Sequence, residues 1–312
     1  EIAESFMESW GVWQIVEFLK KFNIGIENSK RIYDKLGAMA IETIEENPYV
    51  LIDLVRGINF KQIDEMALKL GTDAGSLKRI TSGIKYALIQ ISYNGHSCVI
   101  LQNLEEFVVN LLNISIDEVE NGIIHLKAKG EIIIENRDDD TEWVYLESFY
   151  NTEVAICNRL NKLSETENSK KVKNVEDEMK RVENENEIEL SKKQKEAVQA
   201  VNDNNITIIT GGPGTGKTTI IKSIIEIYIK QNNKIVLAAP TGRAAKRMTE
   251  MTGIEASTLH RLLEIGKIND DGLYKKRQDY QGAPIDADIV IVDEMSMVDM
   301  FLMNYLLQSV YL

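Results

Sequence analysis

The 312-residue sequence has few cysteines, no long apolar run and fewer positive than negative charges. Its two cysteines, Cys98 and Cys157, lie far apart and lack the spacing of metal ligands, so we expect buried free thiols and a reduced, cytoplasmic setting. No stretch approaches the ~20 apolar residues that span a bilayer, and no signal-peptide pattern opens the sequence. These absences argue against a membrane partner and against a secreted, disulfide-stabilised protein.

Lysine and arginine number 36 against 49 aspartates and glutamates, which gives a formal net charge of -13. This balance argues against a protein that coats nucleic acid or a membrane surface. It does not exclude nucleic-acid binding, because a local groove of backbone amides and a few basic side chains can engage phosphates on an acidic protein. The length fits two or three domains.

A glycine-rich loop between a β-branched run and a helical pattern is the most informative stretch. Residues 206–210 predict a buried strand, and residues 219–225 predict a helix. Between them the pattern G-x-x-x-x-G-K-[ST] is that of a phosphate-binding loop. Its glycines would let backbone N–H groups close around phosphate oxygens, Lys217 would reach the outer phosphates, and the Thr218 hydroxyl would ligate Mg²⁺. The candidate nucleotide-binding residues are Gly211, Gly212, Pro213, Gly214, Thr215, Gly216, Lys217, Thr218 and Thr219.

Two further apolar runs, residues 234–240 and 288–292, predict strands that end in polar residues. Because strands alternate with helices here, we expect a parallel sheet whose functional loops lie at the carboxyl ends of its strands. Asp293 and Glu294 follow the last of these strands. A carboxylate in this place is expected to hold Mg²⁺ opposite Thr218, and its neighbour to orient or deprotonate the attacking water.

Residues 1–95 contain two rounds of helix, turn and helix, in which residues 24–26 align with residues 58–60. Such repeats resemble helix-hairpin-helix modules, whose hairpin amides hold a DNA backbone phosphate. The second copy has Asn59 where the first has Gly25, which leaves phosphate contact by that copy open. A small helical bundle that only packs on its neighbour is the alternative.

The rest of the chain divides into three further segments. Residues 96–160 predict a winged-helix-like module, with two helices followed by a β-hairpin whose acidic tip argues against phosphate contact. Residues 161–190 are rich in Glu, Lys and Asn and predict a charged helix or a linker. Residues 191–312 predict the α/β domain with the phosphate loop and the parallel sheet. The predicted fold class is therefore multidomain, with an all-α helix-hairpin-helix-like region, a winged-helix-like module and an α/β phosphate-loop domain.

Four motifs, in this order and spacing, resemble the first RecA-like domain of superfamily 1 DNA helicases: GGPGTGKTT, APTGRAAKRM, ASTLHRLL and DEMSMVD. More narrowly, they resemble the RecD-like helicases, the exodeoxyribonuclease V alpha-chain family. The paired hairpins and the wing are similar to the N-terminal region of the stand-alone members. The resemblance implies ATP and Mg²⁺ as cofactors and 5′ to 3′ movement on single-stranded DNA in repair or recombination. It also implies duplex junctions as substrates and a monomer as the working form.

The resemblance also implies individual roles. Gln194 would contact adenine, Lys217 would hold phosphates, Asp293 would hold Mg²⁺, and Glu294 would be the catalytic base. The DNA-facing residues would be Thr241, Gly242, Arg243, Thr258 and His260. A solvated helix start is the alternative for Arg243, and a packed side chain is the alternative for His260. The basic segment 274–277 is interpreted as a solvated loop, with a DNA contact as the alternative.

Motors of this superfamily also require a second RecA-like domain that supplies an arginine finger, and residues 1–312 contain no motif of that domain. Without the finger, related systems lose about three to five orders of magnitude in rate. We therefore expect this chain to bind Mg-ATP weakly, to hydrolyse it poorly and to unwind nothing. Two other functions fit the motifs: a helicase-like segment of a conjugative relaxase, and a non-catalytic DNA-binding module with a vestigial nucleotide site.

Overall fold

The computed structural model describes residues 2–24, 28–54, 59–137, 140–212, 214–265 and 284–310. These residues form two compact units, and the division falls between Asn151 and Thr152, within one helix. Each unit has a hydrophobic core of its own. In the described part of the chain, no helix is long and apolar enough to cross a bilayer.

The first unit begins with six helices: α1 (Ile2–Lys20), α2 (Ser29–Leu36), α3 (Ala40–Glu46), α4 (Val50–Leu54), α5 (Phe60–Lys69) and α6 (Leu77–Tyr93). The two predicted rounds of helices are confirmed, whereas α3 was missed. Hairpin residues 25–27 and 55–58 lie outside the described residues. Asn59 caps α5, because its side-chain oxygen accepts the Lys61 N–H at 2.9 Å. The residue that replaces glycine in the second repeat therefore has a local structural role.

A three-stranded antiparallel sheet and two more helices complete the first unit. They are β1 (Cys98–Ile100), α7 (Leu101–Leu112), α8 (Ile116–Ala128), β2 (Ile132–Asn136) and β3 (Glu142–Leu146). The sheet order is β1-β3-β2, with Val144 opposite both Val99 and Ile134. The order α6-β1-α7-α8-β2-β3 is that of a winged helix, so both predicted helices and the hairpin are confirmed. Residues 138 and 139 of the acidic tip lie outside the described residues.

Glycines allow α6 to pack closely against α7 and α8. A Cβ atom on Gly122 would lie 2.5 Å from Ile80 Cγ2, and one on Gly83 would lie 2.8 Å from Leu112 Cδ1. Both distances are shorter than real Cβ contacts, so these helices need glycine to approach each other as they do. The result is one continuous core that extends from Ile15 on α1 to Val144 on β3.

A buried ionic network crosses this core. Arg79 donates from Nε to Asp64 Oδ1 at 2.8 Å and from Nη2 to Asp64 Oδ2 at 2.7 Å. The Tyr49 hydroxyl donates to Asp64 Oδ1 at 2.6 Å, and the remaining Arg79 N–H groups donate to the carbonyl oxygens of Ala74 and Leu112. Burial, and then the Asp64 carboxylate, raise the pKa of Tyr49. The charges are thus matched and their hydrogen bonds satisfied, as burial requires.

The second unit contains a parallel sheet surrounded by helices. Its strands are β4 (Ile235–Ala239), β5 (Ala256–Thr258) and β6 (Ile289–Val292), in the order β5-β4-β6. Its helices are α9 (Glu147–Glu165, which contains the division), α10 (Val175–Glu185), α11 (Lys192–Asp203), α12 (Lys217–Lys230), α13 (Gly242–Thr252), α14 (Leu259–Leu262) and α15 (Met300–Ser309). The predicted parallel sheet is confirmed. Helix α10 lies in the segment predicted as a charged helix or linker, and it is packed into the core.

Residues 206–210, which we predicted to be a buried strand, form no strand, and this prediction is wrong. Ile208 is 89% exposed, while Ile209 packs against the core of α10, α11 and α12. A β-branched run favours an extended chain, but a strand also needs a neighbour to pair with. Within the described residues, β6 pairs only with β4, so the sheet does not extend to residues 206–210.

The cysteines also differ from expectation. Both are free, but Cys157 is exposed on α9 and Cys98 is half-buried at the start of β1. The prediction of buried thiols is therefore wrong. The cause is local, because Cys157 lies on the solvent side of its helix and Cys98 lies in a short strand at the edge of its sheet.

Candidate nucleotide site

The glycine loop has the backbone conformation that its sequence requires. Gly214 and Gly216 have φ values of 75° and 82°, in the left-handed region that favours glycine. Lys217 Nζ donates to the carbonyl oxygen of Gly211 and, at 3.0 Å, to that of Gly212. The Thr215 hydroxyl donates to the Gly212 carbonyl oxygen at 2.9 Å. Pro213 lies outside the described residues.

Helix α12 begins directly at the end of this loop, with Gly216 as its N-cap and Lys217 as its first residue. The N–H groups of Lys217, Thr218 and Thr219 are in the first turn, where an α-helix provides no acceptor. The start of α12 therefore combines donors that have no acceptor within the helix, the positive end of the helix dipole and the Lys217 ammonium. This combination attracts an anion such as a phosphate.

Gln194 lies beside the loop. It occupies the third position of α11, where its Oε1 accepts the Ser191 N–H at 2.8 Å and its own N–H donates to Ser191 Oγ. A Cβ atom on Gly216 would lie only 2.2 Å from Gln194 Nε2. Since a backbone N–H needs an oxygen acceptor, the capping box directs the amide oxygen to Ser191 and the amide nitrogen to the loop.

The Thr218 hydroxyl contacts a residue that the sequence analysis missed. It donates to Met251 Sδ, at 3.6 Å, from the last turn of α13. Met248 and Met251 are three residues apart and share one face of α13, and Met248 is fully buried. That spacing could have placed Met251 on the packed face of α13, but it does not show that this face meets Thr218.

Three other predicted segments meet at one edge of the parallel sheet. Ala238 of β4 is paired with Val292 of β6, and Ala239 is paired with Thr258 of β5. The residues that follow these positions therefore leave the sheet side by side, at the carboxyl ends of the strands. Asp293, Thr241 and Thr258 are brought together in this way.

Asp293 and Glu294 differ in environment. Asp293 is half-buried, its N–H donates to the Ala238 carbonyl oxygen at 3.0 Å, and its Oδ1 accepts the Glu294 N–H at 2.9 Å. Glu294 is exposed and has a φ of 56°, which is uncommon for a residue with a Cβ. One carboxylate is thus fixed at the end of β6, while the other is free in solvent.

Comparisons with known proteins agree with these features. Residues 8–98 match the family described as the ATP-dependent RecD2 DNA helicase HHH domain, and residues 194–311 match an AAA domain. Over 94% of its length the chain is 26% identical to the ATP-dependent RecD2 DNA helicase of Deinococcus radiodurans, of which it covers 41%. Both domain matches and this relative support a similarity of the chain to the RecD-like superfamily 1 helicases. The resemblance drawn from the four motifs is confirmed.

Two further relatives match a shorter part of the chain at higher identity. The chain is 39% identical to the RecBCD enzyme subunit RecD of Buchnera aphidicola, over 38% of this chain and 22% of that protein. It is 38% identical to the ATP-dependent DNA helicase dda of Enterobacteria phage T4, over 33% of this chain and 24% of that protein. The chain therefore spans less than half the length of each of these relatives.

The residues that the family would place against DNA lie at helix starts on this sheet edge. Thr241 caps α13 by accepting the Ala244 N–H at 3.3 Å, and Thr258 caps α14 by accepting the Arg261 N–H at 3.2 Å. Gly242 is the first residue of α13, and the Arg243 side chain that follows is exposed. His260 is exposed rather than packed. The basic segment 274–277 lies outside the described residues.

Proposed function

We propose that this chain supplies the N-terminal DNA-binding region and the first motor domain of an ATP-dependent DNA helicase. The helicase moves 5′ to 3′ along single-stranded DNA and acts at duplex junctions in repair or recombination, as a monomer. The main support is the start of α12, where the Lys217 ammonium and the first-turn amides, which have no acceptor within the helix, adjoin a glycine loop with Gln194 beside it. The cytoplasmic setting stays a prediction.

The residues present fit a nucleoside triphosphate with Mg²⁺. Gly214 and Gly216 leave the loop without side chains at two left-handed positions, so backbone N–H groups can approach phosphate oxygens. The Thr218 hydroxyl and the Asp293 carboxylate are the oxygen ligands that Mg²⁺ prefers. We assign these two side chains to Mg²⁺, which when bound would offset charge on the phosphate oxygens.

Three residues of the chain would act on ATP itself. Lys217 would exchange its bonds to the loop carbonyl oxygens for bonds to the outer phosphates. Gln194 would offer its amide to the adenine base. Glu294, which is exposed next to the fixed carboxylate of Asp293, would orient the attacking water and accept its proton.

The Glu294→Gln change tests the catalytic assignment, and the chain offers a matched control. In the full-length protein, we expect Glu294→Gln to keep ATP binding but to reduce turnover by about two orders of magnitude or more. Glu264 is also an exposed glutamate in the left-handed region, with a φ of 52°, but it does not follow a sheet strand. Glu264→Gln should leave turnover unchanged. Equal turnover in the two variants would remove Glu294 from the mechanism.

The proposed DNA edge is tested by a comparison of two arginines on α13. Arg243 and Arg247 are both exposed and are separated by one helical turn, but only Arg243 lies at the sheet edge. We expect Arg243→Ala to weaken binding of a single-stranded oligonucleotide and to lower the salt dependence of binding by about one ion. Arg247→Ala should do neither. Equal effects would assign the binding to the net charge of the helix.

ATP turnover with and without single-stranded DNA tests the activity of these residues alone. We expect weak ATP binding, slow hydrolysis and no unwinding. Robust DNA-stimulated hydrolysis would contradict the expectation that a second motor domain is needed. DNA binding without any ATP binding would instead support a DNA-binding module with a vestigial nucleotide site.

A further inference from the structure

Helix α10 connects the two elements that hold the proposed nucleotide. Its buried residues Val175, Met179 and Val182 share one core with Val198 of α11 and with the α12 residues Ile224, Ile227 and Tyr228. Helix α11 carries Gln194, and α12 starts at the phosphate loop. The segment predicted as a charged helix or linker therefore packs against both the helix that carries Gln194 and the helix that starts at the phosphate loop.

Glu183 of α10 contacts residues on either side of Gln194 in the sequence. Its Oε1 accepts the Leu190 N–H at 2.7 Å and lies 2.9 Å from Lys195 Nζ, and its side chain is 13% exposed. The Lys195 ammonium, and then the Leu190 N–H, hold the pKa of Glu183 below its usual value. One carboxylate thus fixes the backbone immediately before the Ser191 cap and the side chain that follows Gln194.

A second contact ties α10 to the phosphate side. Asn186, the C-cap of α10, donates from Nδ2 to Glu226 Oε2 of α12 at 2.7 Å. Polar contacts at the end of α10 therefore reach both α11 and α12. Glu183 fixes the start of α11, whereas Asn186 contacts α12, the helix that starts at the phosphate loop.

We propose that Glu183 is a positioning residue for base recognition, since it holds the Ser191–Gln194 capping box at a fixed place beside Gly216. This inference rests on the proposed role of Gln194 in ATP binding. Without Glu183 the start of α11 is less well fixed, and the Gln194 amide is presented to the base in more than one place. Phosphate binding, which depends on the loop and on α12, is not affected.

Competition binding against a fluorescent ATP analogue tests this role, with ATP and inorganic tripolyphosphate as the two competitors. We expect Glu183→Ala to weaken the affinity for ATP roughly fivefold, which is about the loss of one net hydrogen bond. The affinity for tripolyphosphate should stay within about twofold of the wild-type value. Gln194→Ala should give the same pattern, and the double variant should be no worse than either single variant. Glu185→Ala is the control, because Glu185 is on the same helix but pairs with Arg181.

Glu183→Gln keeps an acceptor for Leu190 and loses the ion pair, so it should lie between wild type and Glu183→Ala. Thermal unfolding would show whether Glu183→Ala folds. If it does not, the comparison of Glu183→Gln with the wild type provides the test. Equal losses for both competitors, or no loss for ATP in a folded variant, overturn the role of Glu183. If Gln194→Ala leaves ATP binding unchanged, or if the wild type binds neither competitor, the proposed nucleotide site is wrong. The proposed role of Glu183 is then wrong as well.

Discussion

Arg79 in the first unit and Lys217 in the second are both cations bonded to protein oxygen atoms, but the oxygen atoms differ. Arg79 is buried and paired with the Asp64 carboxylate, and its other N–H groups bond to backbone carbonyl oxygens. Lys217 is half-buried and donates only to neutral carbonyl oxygens of its loop, and no carboxylate pairs with it in the described part of the chain. A neutralised cation stabilises the fold and has nothing to offer a ligand, whereas an unneutralised one can bind phosphate.

The largest effect is expected from breaking the buried pair. Arg79→Ala leaves the Asp64 carboxylate buried without its partner and should lower the free energy of unfolding by about 3–5 kcal/mol. Lys85→Ala is the control, because the ion pair of Lys85 with Glu131, at 2.9 Å, is partly exposed and should contribute at most about 1 kcal/mol. Urea denaturation measures both. Similar losses in the two variants would show that burial does not set the importance of Arg79.

In the second unit, a comparison of two loop glycines separates backbone strain from steric contact. Gly216→Ala forces alanine into a left-handed conformation and places its Cβ against Gln194, so we expect about 2 kcal/mol of lost stability and weaker ATP binding. Gly214→Ala has the same backbone strain, but a Cβ there meets nothing within 4 Å. It should cost about 1 kcal/mol. Equal ATP affinities for the two variants would show that a clash with Gln194 does not affect ATP binding.

A tyrosine of the second unit should make stability fall at high pH. Burial, and then the Asp203 charge, raise the pKa of Tyr228 to about 12. The folded pKa is above the unfolded value of about 10, so the contribution of Tyr228 to the free energy of unfolding is fully present below pH 10. Between pH 10 and 12 the free energy of unfolding declines by about 1.4 kcal/mol per pH unit. Tyr228→Phe should flatten this decline in denaturation curves recorded from pH 8 to 11. Tyr93→Phe, at an exposed tyrosine, should leave the decline unchanged.

The smallest effect distinguishes two capping boxes of the same design. Ser115 and Glu118 start α8 in the first unit, while Ser191 and Gln194 start α11 in the second. Ser115→Ala and Ser191→Ala should each lower stability by about 1 kcal/mol. Only Ser191→Ala should also weaken ATP binding, because only its capping-box partner, Gln194, lies beside the phosphate loop. Nucleotide affinity that falls in both variants would point to general loosening of the chain.

Local patterns were sufficient for most helices and for the left-handed glycines of the loop before α12. Apolar periodicity predicted α7 and α8, and the motif predicted a helix after the phosphate loop, because both depend on neighbours in sequence. The strand predicted at residues 206–210 failed because pairing depends on a distant partner. The contacts of Glu183 and Met251 were also out of reach, since each joins helices that are separated in sequence. A charged segment can bury one face of a helix, as α10 does, and composition alone does not reveal this.

Glu294 has a further consequence for attempts to make this protein more robust. Its left-handed backbone costs about 1 kcal/mol or more, and glycine would relieve that cost. Glu294→Gly should therefore raise the melting temperature while it removes the carboxylate that we assign to water activation. A screen for heat resistance alone would favour this change and would select inactive protein. Such a screen needs an ATPase readout beside it.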